Sequence, residues 1–296
     1  MRRHRLHERC FVGGRGVAGW LGFIVSAGVE FLYSRIHACD RLPYDERESF
    51  RRQCEDIMKR LDLSLPTPEE NLALDEALLD AACAGEQSDE ILRFWESSQT
   101  AVIVGRASKV EEEVDTTACR ARGVPVLRRI SGGAAVVVGP GCLMYALILS
   151  RRARSDLVSV DRIHRHVLRG MVAALRRIHP EVCYRGINDL TLGDRKFCGN
   201  SLRVRRDWVL YHGTLLLTPA AETIEALLRM PPRRPEYRRN RSHGEFVTHL
   251  PADPAVVREA IATYWQAETM LASWPKERTG ELVARRYARC EWHLER

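Results

Sequence analysis

The chain has 296 residues, 45% of them hydrophobic and 29% charged, with a net charge of +7. This composition is typical of a globular protein, and the length allows a core of useful size. The charge suits acidic partners such as nucleotides, nucleic acid or an acidic protein, and fits a solvated arginine-rich surface equally well. Nine cysteines occur singly without a C-x-x-C pair, which argues against a zinc ribbon and a disulfide scaffold and favours the reducing cytoplasm.

The first 57 residues differ in character from the rest. Basic residues precede an apolar stretch from Val17 to Ala27, and Glu30 follows it. About 11 apolar residues are too few to span a bilayer, and the stretch lacks a good cleavage site. We therefore predict that residues 1–57 are an N-terminal extension, either disordered or upstream of the natural start at Met58. No membrane association is expected.

From Met58 onward the local signals are consistent with one domain, residues 58–296. Thr67 to Glu70 form a capping box that starts a helix, with Pro68 at its first position. Hydrophobic periodicity and turn residues set the other bounds. The candidate helices are 68–85, 110–122, 161–178, 221–230 and 254–272. The candidate strands are 91–95, 101–105, 124–130, 134–138, 142–149, 189–192, 195–204 and 209–217.

Antiparallel runs of strands with helices between them predict an α+β fold, with helices packed on a mixed, largely antiparallel sheet. The last three strands form a meander. Residues 231–246 are basic and rich in proline, and we interpret them as an ordered loop. This loop holds one aromatic residue between 233 and 241, without a stacking pattern, so no nucleic-acid partner is expected.

Residues 128 to 141 read RRISGGAAVVVGPG. The guanidinium groups of Arg128 and Arg129 offer forked donors to a phosphate or carboxylate. Ser131 adds a hydroxyl, and Gly132 and Gly133 let the backbone approach a ligand closely. Neighbouring strand residues point to opposite faces, so one arginine could reach a ligand while the other braces the sheet. Taken alone, the segment is equally typical of a ligand-binding loop and of a glycine-rich hairpin with surface arginines.

Lys196 lies in a strand with apolar neighbours, bracketed by Gly193 and Gly199. An arbitrary lysine in such a place reaches out to solvent. A positioned ammonium would instead stabilise negative charge on a carbonyl or phosphate oxygen in a transition state.

Polar residues before and after this lysine add to the candidate site. Asp189, after Asn188, is a candidate Mg²⁺ ligand beside nucleotide phosphates, or else the two form a turn or cap. His212, which precedes Gly213 and Thr214, could bind a substrate or hold a loop.

These segments together resemble the lipoate–protein ligase A family, within the biotin/lipoate ligase and octanoyltransferase superfamily. The resemblance extends over nearly everything after Met58. The motifs that carry it are RR-x-SGG at 128–133, ND at 188–189, GDRK at 193–196, GNS at 199–201, HGTLL at 212–216, VIVGR at 102–106, ENLALDEALL at 70–79 and RRYARCEW at 285–292.

The resemblance implies a two-step transfer, in which lipoate and ATP, with Mg²⁺, give lipoyl-AMP, and a lysine of an apo lipoyl domain then takes the lipoyl group. It implies that Lys196 contacts the acyl carbonyl and the α-phosphate, and that Asp189 serves the metal. It also implies lipoyl domains of 2-oxoacid dehydrogenase complexes, or glycine cleavage H protein, as partners. The residues expected to bind substrate and adenylate are Arg128, Arg129, Ser131, Gly132, Gly133, Asn188, His212, Gly213 and Thr214.

The chain departs from the family pattern in three places. Ala134 stands where members typically have a third glycine, and Val138 and Gly139 stand where a His-Asp pair is common. GPG at 139–141 resembles octanoyltransferases, which use a cysteine thioester and no ATP. Cys183 lies about two residues from the position of that nucleophile in one class, and Cys142 follows the GPG corner; core packing is the alternative for both.

Three hypotheses follow. The first is an ATP-dependent lipoate–protein ligase, which would need an accessory subunit if the domain that many such ligases use for adenylation is a separate chain. The second is an ATP-independent octanoyl or lipoyl transferase that acts from acyl carrier protein or a lipoylated protein. The third is a non-catalytic subunit that binds an acyl group or nucleotide.

Overall fold

The computed structural model describes residues 58–294, so the prediction for residues 1–57 lies outside the described residues. The strands are β1 (Lys59–Asp62), β2 (Ile91–Glu96), β3 (Ala101–Val104), β4 (Val126–Arg128), β5 (Val136–Val138), β6 (Cys142–Ser150), β7 (Val182–Arg185), β8 (Asp189–Leu192), β9 (Arg195–Val204), β10 (Trp208–Leu216) and β11 (Thr269–Met270). The helices are α1 (Pro68–Ala84), α2 (Val110–Glu113), α3 (Thr116–Ala121), α4 (Val160–Leu175), α5 (Ala221–Leu227), α6 (His243–Phe246), α7 (Pro254–Trp265), α8 (Lys276–Leu282) and α9 (Cys290–Leu294).

The strands form two sheets. The large one has the order β11-β1-β2-β6-β10-β9-β8-β7, and the small one has the order β4-β3-β5. From β2 to β7 each pair of neighbours in the large sheet is antiparallel, while β1 runs parallel to both of its neighbours. The predicted α+β class, a mixed and largely antiparallel sheet packed with helices, is confirmed.

Strand β6 shows why this sheet has two hydrophobic cores. Its even-numbered residues from Cys142 to Ile148 pack with α1 and the small sheet, and its odd-numbered residues from Leu143 to Leu149 pack with α4 and α7. Alternate side chains of a strand point to opposite faces, so a strand covered on both sides reads as a continuous apolar run. The site described below lies on the face of α1 and the small sheet.

Several predicted bounds are wrong, for local reasons. The helix predicted over 110–122 is two helices, because Val114 leaves the helix to bridge Leu228 and Asp115 then caps the second helix. Helix α7 ends at Trp265, since Gln266 adopts a left-handed φ of 54°. The meander has a fourth strand, β7, which sequence patterning missed because its residues are mostly half-buried or exposed. The capping box at Thr67 is confirmed.

None of the helices in residues 58–294 combines the length and apolar character needed to cross a membrane.

Candidate active site

A cleft of about 840 Å³ opens between the small sheet and strands β6, β9 and β10. It brings together residues that lie far apart in the sequence. The predicted site residues that line it are Arg129, Gly133, Asn188, Asp189, Lys196, His212, Gly213 and Thr214. Three predicted residues, Arg128, Ser131 and Gly132, do not line it. The cleft has two contrasting walls.

One wall is the glycine loop, residues 131–134, whose polar groups are bound by the protein itself. Arg129 donates to the carbonyls of Gly132 and Ala134 and, at 3.0 Å, to Ser131 Oγ. Ser201 Oγ donates to the Gly132 carbonyl at 2.8 Å. Burial lowers the pKa of Arg129 to about 10, so the guanidinium stays charged at neutral pH. Arg129 therefore shapes the loop with donors already in use.

Gly105 allows the loop to lie this close to β3. A Cβ on Gly105 would stand 2.0 Å from the carbonyl oxygen of Gly133. The next residue, Arg106, donates its backbone N–H to the Ser131 carbonyl at 2.8 Å. The VIVGR segment at 102–106 therefore packs against the glycine loop and supports it.

Arg128 is a bracing residue, which corrects its prediction as a substrate-binding residue. The side chain is 1% exposed, and its guanidinium donates to the carbonyls of Gly105, Ser108 and His293. Its backbone N–H donates to Nδ1 of His293 at 2.9 Å. Both adjacent arginines therefore bind backbone carbonyls of the protein itself. Arg129 does so at the cleft, and Arg128 does so away from it.

The other wall carries charge, and we call Asp189 and Lys196, which both line the cleft, the charged wall. Lys196 Nζ lies 2.6 Å from Asp189 Oδ1, with 29% of the lysine side chain and 6% of the aspartate side chain exposed. Tyr237 donates its hydroxyl to Asp189 Oδ2 at 2.7 Å, and burial together with the charge of Asp189 raises the pKa of that hydroxyl. The lysine is anchored on one side and open to the cleft.

Asp75, which was not predicted from the sequence, also lines the cleft. His212 Nε2 is 2.6 Å from Ser131 Oγ, and its Nδ1 is 3.6 Å from Asp75 Oδ2. Burial alone would raise the pKa of Asp75, but the charge of Arg93 and the contact with His212 outweigh it and lower the pKa. Ser131 Oγ also accepts from Arg129 Nε at 3.0 Å, so His212 links the glycine loop to Asp75.

The sequence did contain a signal for Asp75. It lies in ENLALDEALL, one of the family-like motifs, on a helix whose residues from Asn71 to Leu79 are all buried. A charged residue among buried neighbours is rarely tolerated without a partner. Here Arg93, which is 0% exposed, forms that ion pair.

The metal-ligand prediction for Asp189 finds no support. Both of its oxygens already have protein partners, Lys196 and Tyr237. Across residues 58–294 no group of three histidine, cysteine or acidic side chains could hold a metal ion. These described residues therefore hold no site made of protein ligands alone, whereas Mg²⁺ bound mainly through nucleotide phosphates needs only one or two carboxylates. The role of Asp189 beside such phosphates stays a prediction, and no step below depends on it.

The basic loop predicted over 231–246 is ordered and folds beside the cleft, which residues 231–236 and Arg238 line. The guanidinium of Arg238 lies 4.7 Å from the centre of the Phe246 ring. Arg241 pairs with Asp194 at 2.9 Å. Arg233 and Arg234 remain exposed at the cleft.

Among the described residues, no cysteine lines the cleft. Cys142 and Cys198 are buried in the sheet, and burial raises the pKa of both thiols, that of Cys198 to about 12. Cys183 lies on the edge strand β7 with its sulfur 3.1 Å from Thr191 Oγ1.

Comparison with known proteins agrees with this geometry. The model of the lipoyl protein ligase A/B catalytic domain matches residues 67–259. A protein of Aeropyrum pernix named as a candidate lipoate-protein ligase A is 32% identical over 215 residues, 73% of this chain and 77% of that protein. Octanoyltransferase LipM of Geobacillus kaustophilus is 23% identical over 277 residues, 81% of this chain and 99% of that protein.

Two solved structures share the fold. The first is a bipartite lipoate protein ligase from Thermoplasma acidophilum, described with its E2 lipoyl domain, with a TM-score of 0.69 and 24% identity over 80% of this chain and 96% of that one. The second is a lipoate-protein ligase A bound with ATP, with a TM-score of 0.68 and 23% identity over 80% and 98% of the two chains. With the family model matching most of the chain, this protein belongs to the lipoyl protein ligase A/B family.

Proposed function

We propose that this chain is an ATP-dependent lipoate–protein ligase. In the first step the lipoate carboxylate attacks the α-phosphorus of ATP, the bond to the β-phosphate breaks, and pyrophosphate leaves. In the second step the ε-amine of a lysine on an apo lipoyl domain attacks the acyl carbonyl, the bond to phosphate breaks, and AMP leaves. The products are lipoyl-AMP and then a lipoyl-lysine amide.

The observation that carries the proposal is a cleft with a lysine ammonium and no cysteine thiol among the described residues that line it. Transfer through a thioester needs a reactive thiolate beside the acyl group. Transfer through an acyl-adenylate needs instead a cation where negative charge develops. The cleft meets the second requirement.

Lys196 takes the main chemical role in this proposal. The Nζ atom is held by Asp189 at 2.6 Å, so its position is set before substrate binds. Its charge stabilises the negative charge that develops on the α-phosphate oxygens in the first step and on the carbonyl oxygen in the second. Preorganised charge of this kind costs no rearrangement at the moment of reaction.

The glycine loop gives the cleft its shape. The loop carbonyls are bound by Arg129 and Ser201. A Cβ at Gly133 would stand 3.0 Å from the Arg129 guanidinium, so glycine there keeps Arg129 packed against the loop. His212 and Asp75 hold Ser131 at the base of the loop. Arg233 and Arg234 would neutralise phosphate charge at the opening.

The relatives support the substrates and partners. One neighbour of this fold is described with bound ATP, and another is a bipartite ligase described with an E2 lipoyl domain. A two-chain ligase of this kind supports the expectation that a separate accessory subunit assists adenylation here. Lipoyl domains of 2-oxoacid dehydrogenase complexes and glycine cleavage H protein are the proposed acceptors.

One assay tests the proposal. Residues 58–296 are incubated with an apo lipoyl domain and either lipoate with ATP or octanoyl–acyl carrier protein without ATP, and the domain is weighed by mass spectrometry. A gain of one lipoyl group in the first reaction alone is the expected result. A gain in the second reaction alone would overturn the proposal in favour of a transferase.

The transferase is the second candidate, because a LipM octanoyltransferase matches this chain over 99% of its own length. Cys183 lies three residues before Gly186, which lines the cleft. The variant Cys183→Ser separates the two mechanisms. Under the ligase proposal its lipoylation rate stays within about twofold of the wild type, and a near-complete loss would favour the thioester mechanism.

A further inference from the structure

Four arginines lie near one another, next to the glycine loop and outside the cleft. We call Arg106, Arg203, Arg205 and Arg286 the arginine patch. Arg106 and Arg286 both contact the ring of Trp292, with guanidinium carbons 5.8 and 4.7 Å from its centre. None of the four lines the cleft, so the proposed chemistry does not use them.

The positive charge of the patch exceeds the nearby negative charge. Asp80 lies 3.5 Å from Arg205, and Glu76 pairs with Arg286. The side chain of Arg203 makes no hydrogen bond or ion pair with residues 58–294, and its Nε is buried without a partner, although the charge of Glu76 acts on it. Burial lowers the pKa of Arg203, and repulsion from Arg205, Arg106 and Arg286 lowers it further.

Such a cluster is costly unless an anion offsets it. Like charges held close together repel, and a buried donor without an acceptor loses its hydration. Carboxylates fit this need, because guanidinium groups bind them through two parallel hydrogen bonds. An acidic protein surface supplies several carboxylates at once, which suits four arginines spread over three segments of the chain.

The patch begins where the cleft ends. Ser201 lines the cleft and holds the Gly132 carbonyl. Arg203 follows two residues later on the same face of β9, about 7 Å along the strand. On the other side, Arg106 holds Ser131 through its backbone and directly precedes the cleft residues Ala107 to Lys109. A protein bound to the patch would therefore lie beside the opening of the cleft.

We infer that the arginine patch docks the acidic surface of the carrier domain that receives the acyl group, with its acceptor lysine directed into the cleft. This inference rests on the proposed function. In the basic loop 231–246, Arg238 and Arg241 are held by Phe246 and Asp194, and Arg233 and Arg234 line the cleft, where the proposed function assigns them to phosphate charge. In the patch, the side chain of Arg203 has no such contact with residues 58–294.

The test separates docking from chemistry in the full chain. Arg203 and Arg205 are both changed to Glu, and a net-negative apo lipoyl domain is the acceptor. In the matched control, Arg165 and Arg169 are both changed to Glu. These two arginines are exposed on α4, outside the cleft and the patch. We expect the KM for the lipoyl domain to rise at least tenfold in the patch variant and less than twofold in the control.

Two further readouts report the chemistry without docking. Pyrophosphate release from ATP and lipoate measures the first step. Hydroxylamine, a small nucleophile that attacks the acyl carbonyl and displaces AMP, measures transfer to an acceptor that needs no dock. Both rates should stay within twofold in the patch variant, which also shows that it folds. An unchanged KM, or an equal rise in the control, would overturn the inference.

If the wild-type chain alone makes no lipoyl-AMP, either adenylation requires the accessory subunit or the proposed function is wrong. Binding alone then tests the dock. The Kd of the wild-type chain for the lipoyl domain is measured by calorimetry at low and high salt. It is measured again with the acidic residues around the acceptor lysine changed to Asn and Gln. We expect at least tenfold weaker binding from each change. A Kd that ignores both changes would refute docking by charge, and would point to an accessory subunit as the occupant of the patch.

Discussion

The two walls of the cleft contrast in how their polar groups are used. In the glycine loop, Arg129 and Ser201 bind the carbonyls of the protein itself. In the charged wall, Lys196 has one anchor, Asp189, and keeps 29% of its side chain exposed. A satisfied network specifies shape, whereas an available charge acts on a substrate. Changes to the glycine loop should therefore reduce stability first, and changes to the charged wall should reduce rate first.

The largest effect is expected from Lys196→Ala. Removing a preorganised charge at the reacting atoms lowers kcat by about 10²- to 10³-fold. The midpoint of thermal unfolding should also fall, because Asp189, whose side chain is 6% exposed, loses its cation and keeps Tyr237 as a partner. Lipoylation measured by intact mass, together with calorimetry, checks both. Activity within tenfold of the wild type would remove Lys196 from the proposed mechanism.

Gly199→Ala moves the same ammonium without removing it. A Cβ at this position would lie 2.8 Å from Lys196 Nζ, and the flexible end of the lysine gives way more easily than backbone does. A displacement of about 1 Å at a reacting group lowers the rate by up to about 100-fold. We expect a fall in kcat of about tenfold or more, with no loss of stability. Loss of stability without a change in kcat would contradict the contrast between the walls.

Gly105→Ala tests the opposite wall. The new Cβ would stand 2.0 Å from the Gly133 carbonyl oxygen, so backbone has to move. Overpacking of this kind costs about 1–3 kcal/mol. Gly280→Ala is the matched control, since it lies in α8 with nothing within 4 Å of a new Cβ, and alanine favours a helix by up to about 1 kcal/mol. Urea unfolding should show a destabilised Gly105 variant and an unharmed Gly280 variant.

More of the charged wall than of the glycine loop could be predicted from the sequence. Lys196, Asp189 and Gly199 lie on adjacent strands of one meander, and turn residues and spacing predict such local pairing. Arg128 could not be assigned in this way, because its role depends on Trp292 and His293, which are 164 and 165 residues away. Two adjacent arginines in a motif look equivalent until the long-range contacts of each are known.

Asp75 and strand β7 show the same limit. The pairing of Asp75 with Arg93 joins a helix to a strand 18 residues away, and burial on both sides makes the ion pair obligatory. Periodicity reports which face of an element is apolar, but it does not report which polar residue on that face meets a partner. Strand β7 lies at the edge of the sheet, where one neighbour and partial exposure leave a weak pattern.

The smallest effect concerns pH, and it tests the support behind the glycine loop. Burial lowers the pKa of His164, His243 and His293, below the usual histidine value of about 6.5. The folded chain keeps these rings neutral, whereas the unfolded chain takes up protons as pH falls below about 6.5, so their contribution is present above that pH and is lost below it. We expect the midpoint of unfolding to fall by about 5 °C from pH 7 to pH 5, since each kcal/mol moves it by about 2–4 °C.

His293 links this effect to the glycine loop, because its Nδ1 accepts the backbone N–H of Arg128 and a protonated ring has no acceptor there. In His293→Gln, an amide oxygen can still accept from Arg128 but does not titrate. This variant should lose less stability than the wild type between pH 7 and pH 5, whatever its midpoint at pH 7. An equally steep decline would mean that the buried rings of His164 and His243 account for the acid sensitivity, and that Arg128 and the glycine loop it supports are insensitive to pH in this range.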